Sequence, residues 1–107
     1  MIKIRLFCSA GMSTGLLVKK MMKAAEERGL EADIEALPES QMRSSLDGVD
    51  VVLLGPQARF VLSKAQDLCG PKGIPVEVIP MEDYGRMDGP KVLDLAIELS
   101  SGKIEDK

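Results

Sequence analysis

Apolar side chains along this chain recur with two different periods, and the two periods alternate. Ile2–Phe7 is an apolar run of strand length, and helical spacing of Leu, Val, Met and Ala follows from Ser13 or Thr14 to Arg28. Either hydroxyl suits the cap of that helix, and Gly29 is its natural stop. Glu31–Leu37 then alternates, with Ala32, Ile34 and Ala36 on one side and Glu31, Asp33 and Glu35 on the other, as in an edge strand with one wet face. Residues 39–48 are polar, with room for a short helical stretch, and Val51–Leu54 is wholly apolar, as in a strand buried on both faces. Gly55-Pro56 opens a second helix whose stripe is Ala58, Val61, Leu62, Ala65, Leu68 and Cys69, and Gly70-Pro71 closes it. Val76, Val78 and Ile79, bracketed by Pro75 and Pro80, predict a fourth strand at another edge. The last helix opens near Asp88-Gly89-Pro90, with Asp88 as its cap, and ends by Gly102.

Four strand and helix signals in alternation predict an α/β fold: a four-stranded parallel sheet with helices on both faces. Right-handed crossovers and the two edges give strand order 2-1-3-4, and ligands bind where the winding reverses, between strands one and three. Cys8 ends the first of these strands and Gly55 follows the other, so the loop Ser9–Thr14 and the turn Gly55-Pro56-Gln57 are expected to flank one crevice. Gln57 and Tyr84, at the carboxyl ends of strands three and four, are candidates for its rim. Lys3 and Arg5 fall on a central strand and are expected near its exposed starting end. A single domain over residues 1–101 and a flexible tail over 102–107 complete the layout.

Composition narrows the function. The 107 residues are 45% hydrophobic and 29% charged, and the net charge of −3 supplies no broad basic surface for nucleic acid. No apolar stretch is long enough for a bilayer and no export signal is visible, so the cytoplasm is the expected location. The two cysteines are expected to stay reduced. Histidine is absent, which rules out imidazole catalysis, histidine-anchored zinc and phosphohistidine within the chain. No metal and no cofactor are expected.

A lone cysteine at a strand end is usually packing, but the residues after Cys8 change that reading. The segment Cys8, Ser9, Ala10, Gly11, Met12, Ser13, Thr14, Gly15 joins a strand to a helix start, where unpaired backbone N–H groups and the helix dipole attract anions and favour a thiolate. Its small residues leave room for a backbone that wraps a phosphoryl group. Cysteine phosphatases share this logic in the pattern C-x-x-x-x-x-R-[ST], whose arginine stabilises transition-state charge. Thr14 stands at the arginine position, and the segment has no basic or carboxylate side chain. Such a loop suits accepting and holding phosphate better than hydrolysing it. A low-molecular-weight cysteine phosphatase is the alternative; a redox or flavin module is weaker, since no C-x-x-C pair exists and aromatic residues are 3%. Cys69, on the stripe of its helix near the carboxyl end, reads as structural. Lys19, Lys20 and Lys23 read as a solvated face, and Glu82 and Asp83 as solvated turn residues.

The stretches Leu6–Thr14 and Val51–Gln57, with Tyr84-Gly85 and Asp88-Gly89, resemble in sequence and order the IIB components of the bacterial sugar phosphotransferase system, in the lactose, cellobiose and chitobiose branch. The resemblance covers roughly residues 2–101. It implies a phosphotransferase in which Cys8 accepts phosphate from a phosphohistidine of the IIA component and passes it to a sugar held by the membrane component IIC. The implied sugar is a β-glucoside or disaccharide such as cellobiose, chitobiose or lactose, and the implied location is peripheral to the membrane through IIC. The missing histidine is then supplied by the partner.

Overall fold

A computed structural model describes residues 1–8 and 12–105, with backbone alone at Met12, Ser13 and 101–105. Four strands, β1 (Ile2–Cys8), β2 (Ala32–Pro38), β3 (Val51–Leu54) and β4 (Val76–Val78), pair in parallel in the order β2-β1-β3-β4. Among the described residues the α-helices are α1 (Met12–Glu27), α2 (Leu62–Cys69), α3 (Met81–Gly85) and α4 (Gly89–Glu105). The predicted fold and strand order are those observed.

Side-chain alternation on the central strands explains the two layers. Ile4 and Leu6 of β1 and Val51 and Leu53 of β3 pack with Leu17, Met21, Ala24 and Ala25 of α1 and Val92, Leu93 and Ala96 of α4. Phe7, Val52 and Leu54 point the other way, against Met42, Leu46, Ala58, Val61, Ala65 and Cys69. β3 is therefore buried on both faces, which is why its sequence is apolar without a polar phase, whereas β1 is apolar throughout only from Leu6 onward.

Local chemistry sets the element ends. Gly29, at φ 66°, terminates α1: its N–H donates to the Glu26 carbonyl and that of Leu30 to Ala25, and Leu30 packs onto the core. Asp88 caps α4, its Oδ1 accepting from the Lys91 N–H at 3.2 Å. Five expectations need correction. Helix α1 begins at Met12, so Ser13 and Thr14 lie inside its first turn and neither is its cap. The helix expected from Pro56 starts as a 3-10 segment, Pro56–Val61, with Ala58 off helical angles, and becomes α only at Leu62. Gly70-Pro71 does not close it; one further 3-10 turn ends at Gly73, at φ 70°. Helix α3 was not predicted, and α4 continues past Gly102 to Glu105, so 102–105 are helical while 106–107 lie outside the described residues.

Arg5 is the fifth. It is 6% exposed, and its guanidinium reaches across to β2, donating to the Asp33 carbonyl at 2.9 Å and pairing with the carboxylates of Asp33 at 3.2 Å and Glu35 at 3.4 Å. Burial is tolerable because both carboxylates on the wet side of the edge strand face it. Lys3 does sit at the open end, donating from Nζ to the Asp47 carbonyl.

Candidate functional site

Parallel pairing brings the carboxyl ends of β1 and β3 side by side, and the Gly55 N–H donates to the Phe7 carbonyl at 3.0 Å. Cys8, the last residue of β1, is 2% exposed. Its Sγ lies 2.8 Å from Thr14 Oγ1, and Thr14 Oγ1 lies 3.3 Å from the Tyr84 hydroxyl. Thr14 is fully buried and Tyr84 is 7% exposed. The position that would hold arginine in a cysteine phosphatase thus carries a hydroxyl against the sulfur.

Gly55 closes the other side. A Cβ there would lie 3.1 Å from the Cys8 Cβ, 3.4 Å from Gln57 Oε1 and 3.8 Å from Tyr84 Cε1. The structure therefore brings Cys8, Thr14, Gly55, Gln57 and Tyr84 together at the reversal point of the sheet. Gln57 is exposed, and beyond it a groove opens to solvent, lined by Pro56, Gln57, Met81, Tyr84, Gly85 and Met87. Phe60 and Met81 stand out from the surface at 69% and 70% exposure.

Of the loop expected to hold phosphate, Ser9, Ala10 and Gly11 lie outside the described residues, and Met12, Ser13 and Gly15 belong to the first turn of α1. The contact of the Thr14 side chain with the sulfur is not an expectation of the sequence, which gives Thr14 as a member of the phosphate loop, a candidate cap and the residue at the arginine position. Nor is the approach of Gly55, although a glycine directly after a buried strand next to the cysteine strand is the signal for one. Tyr84 arrives on α3, where Asp83 pairs with Lys91 Nζ at 3.7 Å and Glu82 is exposed. Cys69 differs from Cys8 in kind. It is wholly buried in the α2 layer, and burial pushes its thiol above the ordinary value, against a smaller opposing pull from the Lys72 charge.

Among the described residues no group of His, Cys, Asp or Glu side chains could hold a metal, and no helix is long and apolar enough to cross a membrane.

Residues 3–95 match the family described as the lactose/cellobiose-specific IIB subunit of the phosphotransferase system. The chain is 45% identical over 101 residues to the galactose-specific EIIB component of Lactococcus lactis subsp. cremoris, covering 90% of this chain and 94% of that one. It is 43% identical over 97 residues to the oligo-beta-mannoside-specific EIIB component of Bacillus subtilis, covering 91% and 94%. Its fold superposes on the solution structure of a cellobiose-specific IIB component from Borrelia burgdorferi with a TM-score of 0.80, at 45% identity and with 95% and 94% of the two chains covered.

Proposed function

Because the chain belongs to the lactose/cellobiose IIB family of the sugar phosphotransferase system, a family of phosphotransferases, we propose that Cys8 is its phosphorylated residue, charged by a IIA phosphohistidine and discharged to a sugar on IIC. The thiolate sulfur attacks phosphorus; the S–P bond forms as the N–P bond breaks, and the electron pair returns to the imidazole. The carrier then passes the phosphoryl group to a sugar hydroxyl, whose proton goes to a base or water at the IIC site as the S–P bond breaks and the thiolate is regenerated.

One observation supports this reading above the others: the sulfur at the end of β1 lies 2.8 Å from Thr14 Oγ1, at the residue where a hydrolase of similar loop pattern needs its arginine. A neutral hydroxyl supports a sulfur nucleophile without the fixed cation that speeds hydrolysis of phosphocysteine. With no histidine in the chain, the donor imidazole belongs to the partner. The sugar is a β-glucoside or disaccharide such as cellobiose, chitobiose or lactose; relatives named for galactose and for oligo-beta-mannosides match this chain about equally, at 45% and 43%, so the choice among sugars rests with IIC. The working location is the cytoplasmic side of the membrane, against IIC.

The test supplies phosphoenolpyruvate, the general phosphotransferase proteins and a panel of IIA components, and follows the chain by intact mass. A phosphorylated form is expected that survives isolation, is absent in Cys8→Ser, persists in Cys69→Ser, and discharges when membranes containing IIC and sugar are added. Acceptance of phosphate by Cys8→Ser, or rapid turnover of aryl phosphates by the unmodified chain with no acceptance from any IIA, overturns the proposal.

A further inference from the structure

Thr14 Oγ1 stands between two polar atoms, the Cys8 sulfur at 2.8 Å and the Tyr84 hydroxyl at 3.3 Å, and all three residues are buried. A threonine hydroxyl has one proton to give. The attacking form of a cysteine is the thiolate, which only accepts. In that form Thr14 gives its proton to sulfur, and its contact with Tyr84 can be satisfied in one sense only, with the phenol donating to Thr14 Oγ1. Resting on the phosphocarrier reading, we propose that Tyr84 is a positioning residue for phosphoryl transfer, acting on the Cys8 sulfur through Thr14.

The reasoning is one of orientation. A threonine hydroxyl in a helix has two accessible rotamers and competing acceptors among the preceding carbonyls. A donor fixed 3.3 Å away on α3 favours the setting in which Oγ1 accepts from Tyr84 and turns its own proton to sulfur. The fixing is firm because the Tyr84 ring packs in the apolar layer shared with α1 and α4. As the S–P bond forms and the imidazole leaves with the N–P electron pair, the negative charge of the sulfur is taken over by the leaving nitrogen, which picks up a proton from its own surroundings, and the Thr14 proton is no longer needed at sulfur. Tyr84 thus contributes to the acceptor state of Cys8 without touching the reacting atoms.

The variants are Tyr84→Phe, which keeps the ring and removes the donor, Thr14→Val, which keeps the shape and removes the hydroxyl, their combination, and Thr14→Ser with and without Tyr84→Phe. Two rates are measured on the full chain: phosphorylation of Cys8 at saturating phospho-IIA, and alkylation of Cys8 by iodoacetamide at neutral pH, read by peptide mass. Thermal unfolding verifies that each variant is folded, and Thr14→Ala replaces Thr14→Val in the cycle if the latter is not. Each single variant is expected to slow both reactions by roughly tenfold, the scale of one hydrogen bond to a charged group. Tyr84→Phe is expected to add nothing once Thr14 has lost its hydroxyl, and Thr14→Ser to restore both the rate and its dependence on Tyr84. Multiplying effects in the double variant, or a Tyr84→Phe chain equal to the unmodified one in both assays, overturns the proposal. If no IIA phosphorylates the unmodified chain, the carrier reading fails, and the alkylation cycle still decides whether Tyr84 acts through Thr14.

Discussion

Gly55 and Cys8 stand so close that a side chain on residue 55 would begin 3.1 Å from the Cys8 Cβ. An alanine there forces Cys8 or Gln57 to yield by a few tenths of an ångström. Gly55→Ala is therefore expected to cost about 1–2 kcal/mol of stability, the scale of a tight overpacking, and to reduce phosphoryl acceptance at least tenfold, because the displaced atoms belong to the proposed site. Denaturant unfolding beside the IIA transfer assay checks it; a loss of stability with transfer intact would show that the sulfur does not need this wall.

Two other glycines are expected to respond with opposite signs. A Cβ on Gly89, where α4 starts against α1, would lie 2.5 Å from the Lys20 carbonyl carbon, so Gly89→Ala should cost about 3 kcal/mol. A Cβ on Gly15 would meet nothing within 4 Å among the described residues, and the residue is inside α1, so Gly15→Ala should gain up to about 1 kcal/mol of helix propensity. Thermal melts of the two variants measure both effects.

The strands were legible because parallel pairing inside two helical layers demands apolar runs, and Val51–Leu54 permits no other reading. Alternation at Ala32, Ile34 and Ala36 marked the edge in the same way. What escaped was nonlocal or brief. Helix α3 is five residues long, two of them acidic, too short for any periodicity to show. The pairing of Arg5 with Asp33 and Glu35 joins residues 28 and 30 positions apart, and without it an arginine on a central strand reads as misplaced. At the site, Cys8 was legible from its segment, and Gln57 and Tyr84 from their places after strands; the contact of Thr14 with sulfur depends on where α1 begins, which capping signals place only to within a residue or two.

Cys69 gives a pH dependence of definite sign. Its thiol is held above its ordinary value in the folded protein by burial, so on raising the pH the unfolded chain loses this proton first. The contribution is fully present below about pH 8.5, the ordinary thiol value, and is lost as pH rises through the folded value. Unfolding free energies of the unmodified chain and Cys69→Ala should run parallel at neutral pH, with the unmodified chain falling more steeply in alkali. Identical slopes would contradict the assignment.

Thr14→Arg restores the phosphatase spacing in sequence but not in space. Residue 14 has no exposed surface and sits between the Cys8 sulfur and the Tyr84 hydroxyl, so a guanidinium must displace both and carry its charge into an apolar layer. A loss of about 3 kcal/mol or more is expected, with no aryl-phosphate turnover. A folded variant that hydrolyses p-nitrophenyl phosphate would refute this packing.

The guanidinium of Arg5 has a role in assembly that its energy alone does not convey. Asp33 and Glu35 occupy one face of β2, and Ala32, Ile34 and Ala36 the other. If β2 slid by one position along β1, both carboxylates would turn into the layer beneath α1 and the alanines and isoleucine into water, while Arg5 would lose both ion partners. The central strand thus carries an index mark, one cation read by two anions, that tells the edge strand where to begin.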